Sequence, residues 1–178
     1  MLSKKDYEKY VARTLEYFEK AGIALTEKEK NSVEVVDWGL NEVEVNGLEI
    51  ITYVNTERVC AKEMVLFPGQ SCAEHYHVDS YGQKGKEETF RCRYGTVYLY
   101  VDGEPTPNIK AKLPTTKVSV FHEVILKPGE QYTIMPYTRH WFQAGDDGAV
   151  ISEFSTRSTD ETDRFTDERL VRATVIEE

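Results

Sequence analysis

Tyr7, Tyr10, Val11, Leu15 and Phe18 recur at helical spacing near the start of the chain. They form one apolar stripe of a 3.6-residue period. Ser3 is placed to cap this helix and Gly22 to stop it. Thr26, with Glu29 three residues on, is a capping-box pair that opens a second, short helix. The first helix has a single apolar face, which must pack on another part of the chain. From about residue 33 the period changes to two. Val43 and Val45 alternate with acidic residues, and Asn46-Gly47 is a hairpin signal because both positions accept positive φ. Leu48, Ile50, Thr52 and Val54 mark the return strand. A third strand runs over 59–67 and stops at Pro68-Gly69. Residues 88–101 are rich in Phe, Tyr and Val, and Asp102-Gly103 ends them. Further strands are expected over 117–126, 131–135 and 149–154, with a loop carrying three prolines over 103–116.

Many short strands behind a pair of helices predict an all-β barrel or sandwich. The chain reads as one domain with three parts: a helical segment over 1–32, a β-barrel over 33–154 and a C-terminal arm over 155–178. The arm is polar, broken by Phe165, Leu170 and Val175, and is expected to lie over the barrel or on a partner subunit.

Composition narrows the function more than the fold. A net charge of −9, from 22 basic and 31 acidic residues, speaks against a nucleic-acid binder, which needs a basic stripe. It also disfavours a heavily phosphorylated substrate. Cys60, Cys72 and Cys92 are odd in number and lack CxxC spacing. They imply a reducing, cytoplasmic setting and not a disulfide framework. Neither an apolar leader nor a long apolar run stands out, so export and a membrane span are not expected.

The chemistry concentrates in His75, His77, Glu88 and His140. Two histidines one residue apart project from one face of a strand. A carboxylate from a neighbouring strand and an imidazole from a later one can close a site around them. Three histidines and one carboxylate suit a divalent first-row metal with positions left open. Only four histidines occur in the chain, and the fourth, His122, has no such context and reads as a surface or packing residue.

Gly69, His75-x-His77, Glu88 and Gly95 together resemble the first cupin motif, and Gly129, Pro136 and His140 loosely resemble the second. The ten residues between His77 and Glu88 make a longer gap than is usual in cupins. That loop, Gly82-Gln83-Lys84-Gly85-Lys86-Glu87-Glu88, together with His140-Trp141-Phe142-Gln143-Ala144-Gly145, resembles the D-lyxose isomerase family of cupins. The likeness runs along nearly the whole chain and is strongest to the shorter, bacterial stress-regulon type. It implies a cupin (double-stranded β-helix, jelly-roll) barrel and a homodimeric, manganese-dependent aldose–ketose isomerase. Co2+, Fe2+, Zn2+ or Ni2+ are the alternative metals. The substrates implied are D-lyxose and D-xylulose, with D-mannose and D-fructose as a second pair. His75, His77, Glu88 and His140 would hold the metal. Lys86 and Glu153 would be the acid/base pair, and Lys62 and Asp163 would contact the sugar.

Moving a carbonyl from C1 to C2 takes a proton from one carbon to the next. A carboxylate near both carbons, Glu153, can shuttle it, and a cation nearby stabilises the charge that develops. A metal next to Lys86 would depress its pKa. Phe90 and Trp141 are expected to pack on the sugar carbons, and Asp160 to meet its hydroxyls. Gly82 and Gly85 point to a mobile mouth. Lys86 and Asp163 also have plain readings as solvated charges, and Glu153 as an exposed strand residue. The rival functions are a cupin-type hexose-phosphate isomerase, an iron-dependent cupin dioxygenase and a non-catalytic sugar-binding cupin.

Overall fold

A computed structural model describes residues 1–177; Glu178, the last residue of the arm, lies outside the described residues. Helix α1 spans Lys4–Lys20, and its cap is Ser3, whose Oγ accepts from the Asp6 amide at 3.1 Å. Helix α2 spans Glu27–Lys30 behind the Thr26–Glu29 capping box. Strand β1 is Leu2–Ser3, and it pairs in parallel with β11, Ile176–Glu177, tying the two ends of the described chain together.

Between them lie β2 (Glu34–Val36), β3 (Leu48–Asn55), β4 (Cys60–Leu66), β5 (Ser71–Tyr76), β6 (Glu88–Val101), β7 (His122–Leu126), β8 (Gln131–Ile134), β9 (His140–Ser155) and β10 (Arg164–Phe165). Two long strands organise them: β6 has 14 residues and β9 has 16. They pair antiparallel along their length, with register shifts between Cys92 and Tyr94 and between Gly95 and Val97. Such bulges bend a strand. Beyond them, β9 changes its other neighbour. Its first half lies beside β5 and its second half beside β4. Likewise β6 pairs β8 through its first half and β7 through its second. The sheet therefore curls into two facing halves, the all-β cupin barrel expected.

Strand alternation sends one set of side chains inward. Leu48, Ile50, Met64, Leu66, Phe90, Leu99, Phe142 and Ile151 fill the barrel. On the outside, Ile51, Val65, Phe67 and Val150 take the apolar face of α1 through Tyr10, Tyr17 and Phe18. A third cluster, Tyr100, Ala111, Val120 and Trp141, fastens the proline-bearing loop to the outer surface.

Three strand expectations change. The hairpin at Asn46-Gly47 is instead a loop from 37 to 47, and β2 is the partner of β3. Asn46 is buried and donates to Glu42 and Thr115, and a Cβ on Gly47 would meet Gln70 Nε2 at 2.6 Å. The glycine serves close approach and not a two-residue turn. Residues 117–121 are not strand, because carboxylates take their amides: Lys117 donates to Asp167, and Ser119 and Val120 to Glu74. Strand β9 begins at His140, nine residues before the expected 149. Among the described residues no helix is long and apolar enough to cross a membrane.

Candidate active site

The register of the strands explains how distant residues meet. His75 on β5 pairs directly with His140 on β9. Glu88 opens β6 in the opposite half of the sheet. His77 follows β5 by one residue, on the same face as His75. The four side chains are buried, and their ligand atoms lie within 4.8 Å of one another. His77 Nε2 and His140 Nε2 are each 3.0 Å from Glu88 Oε1.

Backbone and side-chain acceptors fix the rings. His75 Nδ1 lies 2.8 Å from the Ala73 carbonyl and His140 Nδ1 3.0 Å from the Thr138 carbonyl. His77 Nδ1 lies 2.6 Å from Asp163 Oδ1. Each ring thus donates through Nδ1 and turns Nε2 inward. The buried Nε2 of His140 has no hydrogen-bond partner among the described residues. A lone pair facing a carboxylate oxygen calls for a cation between them. Burial, with the other two imidazoles, lowers the His75 pKa well below the usual value and keeps it neutral. Burial and Lys86 oppose a proton on His77, but Glu88 and Asp163 outweigh them and raise its pKa to about 9. The cluster could therefore hold a divalent metal, and its three-nitrogen, one-oxygen set fits a first-row ion.

Lys62, Glu153 and Phe90 stand side by side across β4, β9 and β6. All three are buried and point into the barrel. Lys86 Nζ lies 2.8 Å from Glu88, 3.2 Å from Glu153 and 3.3 Å from Asp160. Lys62 Nζ lies 2.7 Å from Asp160 and 3.8 Å from Glu153. Burial works to lower the Lys86 pKa, but Asp160, Glu153, Glu88 and Asp163 raise it well above the usual value. Burial likewise favours neutral Asp160, and Lys86, Lys62 and Arg172 override it to hold the carboxylate ionised.

His75, His77, Glu88, His140, Lys62, Lys86, Glu153 and Asp163 come together, with Phe90 and Asp160 beside them. Trp141 does not join them, because it stacks on Tyr100 at 4.1 Å on the outer surface. Arg172, Trp38 and Ser158 had not been expected and line the same region. Arg172 binds Glu34 at 2.6 Å and lies 3.5 Å from Asp160. A polar tail carries no periodic signal that could have singled it out. Gly85 sits where a Cβ would strike the His77 carbonyl. It packs the long loop against the cluster instead of loosening the mouth.

The chamber beside the cluster measures about 30 Å³, and an outer basin of about 610 Å³ adjoins it. Lys62, Asp160 and Arg172 line both.

The fold is that of a cupin, and its buried cluster could hold a divalent metal. An L-ribose isomerase from Acinetobacter sp. DL28, solved with L-ribose, superposes with a TM-score of 0.78 at 15% identity, covering 99% of this chain and 98% of that one. The model of the D-lyxose isomerase family matches residues 9–178, and the chain belongs to that family. A D-lyxose/D-mannose isomerase of Thermosediminibacter oceani is 52% identical over 181 residues, covering 100% of both chains. A D-lyxose ketol-isomerase of Cohnella laeviribosi is 55% identical, covering 93% of this chain and 92% of its own. The chain is thus an aldose–ketose isomerase acting on sugars.

Proposed function

We propose that the chain interconverts D-lyxose and D-xylulose, and D-mannose and D-fructose as a second pair, by proton transfer through a cis-enediol. The observation that carries this reading is the contact of Glu153 with Lys86, 3.2 Å apart, with Lys86 also on Glu88. A proton shuttle and a fixed positive charge thereby stand beside one metal cluster. His75, His77, Glu88 and His140 are the ligands in this reading, and the ion is Mn2+. When bound, it supplies Lewis-acid polarisation of the carbonyl end of the sugar.

Glu153 takes the proton from C2 of the open-chain aldose and returns it to C1, while the hydroxyl proton of O2 passes to O1 and leaves the ketone at C2. Lys86, held as an ammonium by its carboxylates, stabilises the charge on the sugar oxygens while the proton is on Glu153. Lys62 meets the hydroxyls further along, with Asp163 on the same chamber. Phe90 covers the carbons. The inner chamber has room for about one or two water molecules, so the sugar enters from the outer basin and the Asp160 side of the wall yields to admit it.

A hexose phosphate suits this chamber poorly. Lys62, Lys86 and Arg172 each already face a carboxylate, and none is left for a phosphate. We further propose that the whole chain works as one cupin unit with the parts 1–32, 33–154 and 155–178, in the cytoplasm, as a homodimer. The free, buried cysteines favour a reducing compartment. Exposed Phe154 and Val54, which flank Ala61 in register, offer apolar surface for a second subunit.

The test is ketose formation from D-lyxose and D-mannose with Mn2+, run in D2O. Deuterium entering the sugar carbon supports proton transfer through solvent-exchangeable Glu153. Absence of ketose from both sugars sinks the reading.

A further inference from the structure

We infer that Asp163, carried by the C-terminal arm, is a positioning residue of the metal centre: it orients His77 toward the ion. This rests on reading the cluster as a metal centre. The three imidazoles are not held alike. His75 and His140 each lean on the carbonyl two residues earlier in their own segment. His77 has a side-chain carboxylate instead, Asp163 Oδ1 at 2.6 Å from Nδ1, from a residue 86 positions away.

The arm delivers that carboxylate by strand pairing. Strand β10 lies antiparallel on the edge of β5, with Arg164 opposite Tyr76 and Phe165 opposite His75. One step further in the same register places Asp163 opposite His77. The other side of Asp163 is fixed by the turn Asp160–Thr162, whose end is closed by the Asp163 amide donating to the Asp160 carbonyl at 3.2 Å. The side chain is 7% exposed, so its bond to His77 is shielded from water. An Nδ1–H held by a carboxylate fixes the tautomer, leaves Nε2 as the ligand atom and makes it a better donor. A histidine just past the end of its strand needs such a support more than one within it. The arm is therefore part of the metal centre, and the barrel alone presents an incompletely oriented ligand set.

The test measures Mn2+ and Co2+ affinity of the full chain by competition with a chromogenic chelator. Wild type is compared with Asp163→Ala, Asp163→Asn and Asp167→Asn. Asp163→Ala should lose about 10–100-fold in affinity, with a shifted Co2+ absorption band. Asp163→Asn keeps an acceptor oxygen for the ring, and should lose less. If the alanine variant does not fold, the near-isosteric asparagine variant carries the test, and an affinity equal to wild type overturns the inference. Asp167 anchors the arm through Arg169 and the Lys117 amide without touching His77. Its variant should bind metal like wild type. Equal losses at Asp163 and Asp167 would reduce Asp163 to an arm anchor and overturn the assignment. So would unchanged affinity in Asp163→Ala with a raised KM, the signature of a sugar contact alone. A wild-type chain that binds neither metal refutes the metal centre itself, and this inference with it.

Discussion

The two faces of the barrel wall hold carboxylates in opposite states: Glu88 and Asp160 inside, Glu49 outside. Inside the barrel, burial favours neutral Glu88 and Asp160. Lys86 with His77 for the one, and Lys86, Lys62 and Arg172 for the other, reverse this and hold both ionised. Outside, under α1, Glu49 is as buried as Glu88, but its near partner is the neutral Gln70, at 3.0 Å. Burial there wins and pushes the pKa up to about 8. Burial alone therefore does not set the ionisation of a carboxylate; the charge of what it is buried against does. The inner face gathers the charges that act on the sugar in the proposed reaction, and the outer face is chiefly a packing surface.

If the inner face exists for a cation, removing the cation should have the largest effect of all. A chelator should take ketose formation to background, and Mn2+ should restore it. The ion should also raise stability by about 2.7 kcal/mol at a hundred times its Kd, read as a rise in Tm. A chelated chain that keeps full activity would break the comparison at its root. Next comes Glu153→Gln. It should cost about 10²–10⁴-fold in kcat, the usual range for a positioned acid/base group, with metal affinity retained. A loss below about tenfold would remove Glu153 from the proton transfer.

The same contrast explains what could be read from the chain beforehand. His75 and His77 share a strand face, and Lys62 and Glu153 alternate with apolar neighbours, so a period of two already points them inward. Glu88 follows from the motif they complete. The all-β reading and the helix caps at Ser3 and Thr26 hold for the same reason: they depend on neighbours a few residues away. What was illegible depends on distant partners. The amides of 117–121 are taken by Glu74 and Asp167, and nothing local announces that. Arg172 and Ser158 lie in a polar tail whose place over the barrel is set by β10 on β5. The tautomer of His77 depends on Asp163, and the state of Lys86 on four carboxylates, three of them far along the chain.

On the outer face the third prediction concerns packing. Phe67 is fully buried between Tyr10 and Tyr17, with ring centroids at 6.0 and 5.9 Å. Phe67→Ala should cost about 3–5 kcal/mol through lost burial and a cavity, seen as a lower urea midpoint. Folded variant should keep the wild-type kcat, since no inner side chain is touched. A kcat that falls in step with stability would show the two faces to be coupled.

The smallest effect sharpens the comparison most, because it concerns one proton. Glu49 titrates near 4.5 when unfolded and near 8 when folded. Between those values the folded chain holds a proton that the unfolded chain has released. Stability from this group is complete below about pH 4.5 and declines as pH rises, until the folded carboxyl ionises near 8. The limiting slope is about 1.4 kcal/mol per pH unit. Glu49→Gln removes that slope but leaves a buried amide N–H₂ to satisfy, because Glu49 Oε2 has no partner to pass on. That cost is about 1–3 kcal/mol. The stability curves of the two chains should therefore cross: the wild type stronger near pH 5, the variant stronger by about 1–3 kcal/mol near pH 8. Arg13 and Glu44 act on Glu49 from beyond the buried layer with opposite signs, so they leave the direction unchanged. Parallel curves in urea denaturation from pH 5 to 8 would mean that Glu49 ionises normally. The outer face would then hold a charge as the inner face does, by a partner other than Gln70.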